Sequence, residues 1–137
     1  MKITVETTVA APIAEVWRAY VTPEDIKAWN AASDDWHTTT ASVDLREGGA
    51  FSSRMEAKDG SQGFDFAGTY TRIVPEQRID YEFGDRTAEV LFTKKPEGVH
   101  VSVSFDPETT FPEEYQRDGW QAILDSFKRH VEGRKAS

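Results

Sequence analysis

Between Thr39 and Phe105 apolar and polar residues alternate almost without a break, and turn signals cut that stretch into strand-sized pieces. Thr39, Ala41, Val43 and Leu45 share one phase before Gly48-Gly49 turns the chain into Phe51, Ser53 and Met55. Asp59-Gly60, a strong hairpin dipeptide, leads to Phe64, Phe66, Gly68 and Tyr70. Pro75-Glu76 leads to Ile79, Tyr81 and Phe83, and Gly84-Asp85 to Ala88, Val90 and Phe92. Pro96-Glu97-Gly98 leads to Val99, Val101, Val103 and Phe105. A period of two means one buried face and one wet face. Connections this short make sequential antiparallel pairing the default.

Helical patterns stand at the two ends of this run. An alternating strand (Ile3, Val5, Thr7, Val9) comes first. Pro12 then reads as a first helical residue, followed by Ile13, Val16, Trp17 and Tyr20 at helical spacing. Thr22 as N-cap with Pro23 behind it starts a second short helix, ending near Trp29. Asn30 to His37 reads as irregular. At the other end, Thr110 reads as an N-cap with Glu113 completing a capping box. Tyr115, Trp120, Ile123, Leu124, Phe127 and Val131 then mark a helix from about Pro112 to Val131, with Gly133 as its stop and the last residues frayed. Gly119 inside it implies a close approach or a bend.

Strands grouped together and helices grouped apart make the fold α+β, and the 137 residues form a single domain. A sheet of about seven strands is roughly 30 Å wide, whereas a helix is about 10 Å across. One C-terminal helix cannot cover that face. The antiparallel sheet must curve around it, and any mismatch leaves a cavity.

Composition removes several classes of function. With 24 Asp+Glu against 16 Lys+Arg the net charge is −8, which argues against nucleic acid as a partner. With no Cys there is no disulfide, thiolate nucleophile or Cys-ligated metal, which fits a cytoplasmic protein. No signal-like or membrane-spanning apolar run is present. The three histidines, His37, His100 and His130, are too scattered for a metal site, so neither a metal nor another cofactor is expected. His100 falls on the outward phase of its strand. His37 beside Asp34-Asp35 is the one arrangement that could do acid–base chemistry, but a solvated loop histidine is the preferred reading. No nucleophile motif or phosphate loop accompanies it.

The aromatic residues carry more information. Eight Phe, four Tyr and four Trp are a generous set for this length. Met55, Phe66, Tyr70 and Tyr81 share the inward phase of the sheet, while Trp120 and Leu124 lie on the facing stripe of the last helix. Trp29 and Trp36 flank the irregular segment, which could act as a lid. These eight residues are the expected walls of a ligand site, with Tyr70 and Tyr81 as orienting hydrogen-bond donors. No residue is assigned a catalytic role.

Several local signatures, taken in order, resemble the SRPBCC superfamily, the helix-grip fold of START domains and birch-pollen-allergen-like proteins. The residues that carry it are Pro12 with Val16-Trp17, Pro23-Glu24, Trp29, Asp44-Leu45-Arg46-Glu47-Gly48-Gly49, Phe66-x-Gly68-x-Tyr70, Pro75, and Gly119-Trp120 with Leu124. Within the superfamily the chain is similar to the subfamily named after the activator of heat-shock-protein-90 ATPase. The resemblance implies an apolar pocket between sheet and C-terminal helix. Three readings stand: non-catalytic binding of a small apolar or aromatic molecule, a cyclase- or hydratase-type enzyme in the same cavity, or a chaperone-linked protein-interaction module. The first is preferred, and a homodimer is compatible with it.

Overall fold

A computed structural model describes residues 2–136, with side chains from Lys2 to Gly133. The chain runs β1 (Ile3–Val9), α1 (Ile13–Val21), α2 (Pro23–Trp29), β2 (Trp36–Val43), β3 (Ala50–Ala57), β4 (Gly63–Val74), β5 (Arg78–Phe83), β6 (Arg86–Lys95), β7 (Gly98–Phe105) and α3 (Glu113–Ala136). The strands form one seven-stranded sheet in the order β1-β7-β6-β5-β4-β3-β2, and every pairing is antiparallel. This is the helix-grip arrangement, a curled half-barrel holding a long helix.

Two register shifts strengthen the curl, one in β2 between Thr38 and Thr40 and one in β4 between Tyr70 and Arg72. A third device is Gly68, which lies opposite Phe51. A Cβ at that position would stand 2.1 Å from the Glu82 carbonyl oxygen and 2.8 Å from the Phe51 ring. Only glycine lets that ring lie flat across the strand.

The helices grip the two edges of the sheet. α3 packs mainly on β1, and α2 mainly on β2. The densest packing lies on the β1–β7–β6 side, where Val9, Val90, Val99, Val101 and Phe105 are fully buried beneath Val16 of α1 and Phe127 of α3. Trp29 joins α2 to α1 by donating its indole N–H to the Ala19 carbonyl at 2.9 Å. That carbonyl lies in the last turn of α1, where helical partners run out. His130 of α3 reaches Asp25 of α2 at 2.9 Å and closes the triangle.

Local details depart from the sequence-based expectations. Pro12 is the N-cap of α1, not its first helical residue: its ψ of 150° is extended, and its carbonyl accepts from Glu15 and Val16. Thr22 does cap α2 by position, but its side chain makes no capping hydrogen bond. The irregular segment is shorter than expected, since Trp36 and His37 already belong to β2, paired with Ala57 and Glu56. The bulge changes the phase of β2, so that Thr38 is buried and donates its hydroxyl to the Asn30 carbonyl at 2.6 Å. Leu45 lies beyond the end of β2 and is exposed.

α3 differs at both ends. It begins at Glu113, so Thr110 is no cap. Instead Gln116 braces the preceding segment: its amide bonds the Glu108 N–H and carbonyl and the Phe111 carbonyl, at 2.9, 3.0 and 2.8 Å. At the far end Gly133 does not take the left-handed conformation of a helix stop, and the helix continues to Ala136. Arg134 to Ala136 are therefore helical, and Ser137 lies outside the described residues. No helix among the described residues is long and apolar enough to cross a membrane.

Asp106, just after β7, ties this end of the sheet together. Its carboxylate accepts from the Thr87 N–H and hydroxyl, both at 2.9 Å, and from Lys2 at 3.1 Å. The Thr87 N–H first, and then Lys2, hold its pKa below the ordinary 3.8. A depressed folded-state pKa gives stability that is present above the unfolded pKa and lost as pH falls through the folded one. Asp106→Asn should therefore lower stability in urea titrations at pH 7, and the difference from wild type should shrink progressively as the pH falls below 3.8. A deficit that stays constant across that fall would show that the charge of Asp106 contributes nothing.

Candidate functional site

The side of the sheet that α3 leaves uncovered faces a cavity of about 660 Å³. That is the size of a site for a drug-sized molecule. Its far end is floored by Tyr20 of α1 and by Ile26 and Trp29 of α2. Its mouth lies where β2, β4 and β6 begin, beside the segment that leads into α3. There Phe64, Phe111 and Tyr115 line the cavity while remaining 47%, 50% and 66% exposed. Trp36 pairs with Phe64 at 5.9 Å and Phe111 with Tyr115 at 5.5 Å, so two aromatic pairs rim the opening.

All eight residues expected at the site lie on the wall of this cavity. Met55, Phe66, Tyr70 and Tyr81 project from β3, β4 and β5, because the inward phase of each strand points that way. Trp120 and Leu124, one helical turn apart, face them from α3. Trp29 belongs to the floor and Trp36 to the mouth. The rings meet edge-on more often than flat. Phe51 and Tyr81 are T-shaped at 5.1 Å, and Phe66 and Trp120 meet at 6.2 Å between sheet and helix. One ring face of Trp120 stacks on Phe105 at 3.9 Å and 10°, which fixes the indole to the packed side of the core.

The phenols of Tyr20, Tyr70 and Tyr81 add polar tips to the apolar wall. Among the described residues, no protein group hydrogen-bonds the hydroxyl of Tyr20, Tyr70 or Tyr81, yet no buried side-chain polar atom lacks a partner. The hydroxyls therefore open onto the cavity, where water or a ligand can reach them. Burial pushes the Tyr70 phenol up to about 12. Burial, and then the neighbouring Tyr70, pushes Tyr20 higher still. Tyr81 is also raised well above its ordinary value, by burial first and then by Tyr20 and Tyr70, with Arg86 pulling the other way. At neutral pH all three are protonated donors.

The acid–base candidates lie elsewhere. His37 and Asp34-Asp35 are not on the cavity wall, and the Asp35 carboxylate accepts instead from Ser33 at 2.5 Å. His100 is on the outer face, bound to Glu6 at 2.8 Å. Among the described residues, no three His, Asp or Glu side chains converge as metal ligands.

Sequence reasoning missed several wall residues. Tyr20 has the helical phase of a core residue, and it both packs against the core and lines the cavity. Arg86 and Glu108 sit at element ends, where no periodicity points to them. Gly119 has a different role from the expected one: a Cβ there would meet nothing within 4 Å, because the residue borders the cavity. It marks open space, not a close approach.

A family model described as Activator of Hsp90 ATPase homolog 1-like protein matches residues 10–132. Among solved structures, the AHSA1-like protein from Aeromonas hydrophila is 46% identical, with a TM-score of 0.94 over 100% of this chain and 96% of that one. A protein from Cytophaga hutchinsonii is 45% identical, with a TM-score of 0.83 over 98% and 94% of the two chains. One from Chromobacterium violaceum is 26% identical, with a TM-score of 0.86 over 96% and 98%. No curated protein matches the chain.

Two substitutions separate wall from core. Phe127 is fully buried against Tyr20 and Trp29, so Phe127→Ala should cost about 3–5 kcal/mol in denaturant unfolding. Trp120→Ala, which removes a ring with one face on the cavity, should cost less than about 3 kcal/mol. Equal losses would mean that the cavity side of Trp120 is filled. Gly119→Ala, which adds a methyl group to open space in a helix, should raise the melting temperature by about 3–5 °C. A lowered value would place packed atoms where the structure has none.

Proposed function

The chain belongs to the activator of Hsp90 ATPase homolog 1-like family, and we propose that this member is a non-catalytic binding protein for a small apolar or aromatic molecule. The observation that carries the reading is the cavity itself: an aromatic-rich chamber of about 660 Å³ whose wall holds the hydroxyls of Tyr20, Tyr70 and Tyr81, none of them bonded to a protein group. Apolar walls supply affinity through surface taken from water, and a few fixed donors set orientation. Protonated Tyr20, Tyr70 and Tyr81 suit a ligand that brings an acceptor oxygen into the chamber. Phenols held in the protonated state are weak general bases at neutral pH, so the same chemistry favours holding over turnover.

The test begins with tryptophan fluorescence and melting temperature, screened against fatty acids, sterols, flavonoids and aromatic acids. Trp29, Trp36 and Trp120 line the cavity, so a bound molecule should change their emission saturably. It should also raise the melting temperature, because binding to the native state alone stabilises it. With the best binder, Tyr70→Phe or Tyr81→Phe should weaken affinity by about 2- to 12-fold, the worth of one neutral hydrogen bond. Neither change should alter the melting temperature of the free protein, since neither hydroxyl bonds a protein group. A panel without a saturable response would contradict the reading.

A further inference from the structure

Arg86 is the only cation among the described residues that line the cavity, and Glu108 is the only carboxylate. Both lie at the mouth. Arg86 opens β6 immediately after the Gly84-Asp85 turn, and Glu108 lies in the segment that Gln116 braces. The guanidinium is fixed on two sides. Its Nε donates to the Asp106 carbonyl at 2.9 Å, and its carbon stands 4.6 Å over the Phe83 ring. Towards Glu108 it makes a single long contact, Nη1 to Oε2 at 3.4 Å. Its Nη2 group makes no hydrogen bond to the protein among the described residues. The positioned guanidinium therefore keeps two N–H donors unspent at the opening of an apolar chamber.

A donor pair of this kind matches a carboxylate. The mouth is also the cheapest place to bind one, because a charge there keeps part of its hydration while the rest of the molecule is buried. One cation already half-engaged by Glu108 suits a monoanion and offers little to a phosphate dianion. The net charge of −8 would repel an acid at long range, but salt screens such repulsion beyond about 8 Å. A short-range partner then decides whether the acid stays.

We propose that the ligand is an amphipathic carboxylic acid, seated with its apolar body among the aromatic walls and its carboxylate on Arg86 at the mouth. This rests on the ligand-binding reading and adds the class of ligand and its direction. Glu108 acts as an internal competitor that occupies part of the guanidinium when the cavity is empty.

Matched probes separate the two claims. Naphthaleneacetic acid and decanoic acid, each compared with its primary amide, keep the body and remove the charge. Calorimetric titration of the wild type should show at least one acid binding about 10-fold or more tighter than its amide, the worth of a charged hydrogen bond. Arg86→Gln should abolish that preference by weakening acid binding about 10-fold or more beyond any loss of amide affinity, while Arg86→Lys retains part of it. Glu108→Gln should tighten acid binding about 3-fold or more by freeing the guanidinium. The melting temperature of each variant reports its folding, and the acid-to-amide ratio in wild type needs no variant. Amides that bind as well as acids, or an Arg86→Gln variant that weakens both alike, would overturn the carboxylate assignment and leave the ligand-binding reading standing. No binding by any of the four probes would overturn both.

Discussion

A seven-stranded sheet is too wide for a single helix to fill, and every other feature of the molecule follows from how that mismatch is distributed. α3 does not sit centrally beneath the sheet. It packs on β1, with its buried face against the β1–β7–β6 side, and α2 closes the opposite edge at β2. The strands between them, β3 to β5, face α3 largely across the cavity. Interiors are normally packed to crystal-like density, so a void of this size persists only where it is lined by large side chains that brace one another. The rings of Phe51, Phe66, Tyr70, Tyr81 and Trp120 do so, touching in edge-to-face and tilted pairs around the chamber.

That division of labour separates stability from the site. Valines, with Ile3, Phe105 and Phe127, dominate the packed half, where branched side chains interlock with little rotamer freedom to lose. Larger amphipathic rings occupy the open half, where they present apolar faces and polar tips to whatever enters. Trp120 bridges the halves, one ring face on Phe105 and the rest towards Phe66 and the cavity. The mouth is held by a different set of forces. Asp106, Lys2 and Thr87 fasten the ends of β1, β6 and β7, and Gln116 fixes the segment that follows. Polar ties there supplement the aromatic pairs Trp36–Phe64 and Phe111–Tyr115, which are themselves only partly withdrawn from water.

Much of this was legible in the sequence because alternation specifies a face. Once Phe66, Tyr70 and Tyr81 shared a phase, the side they lined was decided, and a shift of one residue would have sent them all to solvent. Trp120 and Leu124 were legible by the same logic at helical period. The bulge at Thr38 was not, since an extra residue in a strand leaves no compositional trace in a run of three threonines. Nor were Arg86 and Glu108, whose meeting depends on a β-turn and a brace that lie 20 or more residues apart. The glycine in α3 was misread because sequence shows that a side chain is missing without showing whether the space is occupied. Helix ends were shifted for a related reason: Pro12 and Gly133 carry terminal signals, but backbone geometry decides which residue executes them.

Ligand binding requires the chamber between β3–β5 and α3 to be open in the native protein. Chemical-shift mapping during titration with a small aromatic alcohol such as 2-naphthol probes that opening residue by residue. An open chamber gives saturable shifts at Tyr70 and Tyr81 on the sheet and at Trp120 and Leu124 on the helix, with His100 and Glu6 on the outer face unmoved. Shifts confined to the outer face, or none at all up to the solubility of the probe, would mean that the native protein does not admit a ligand to this space.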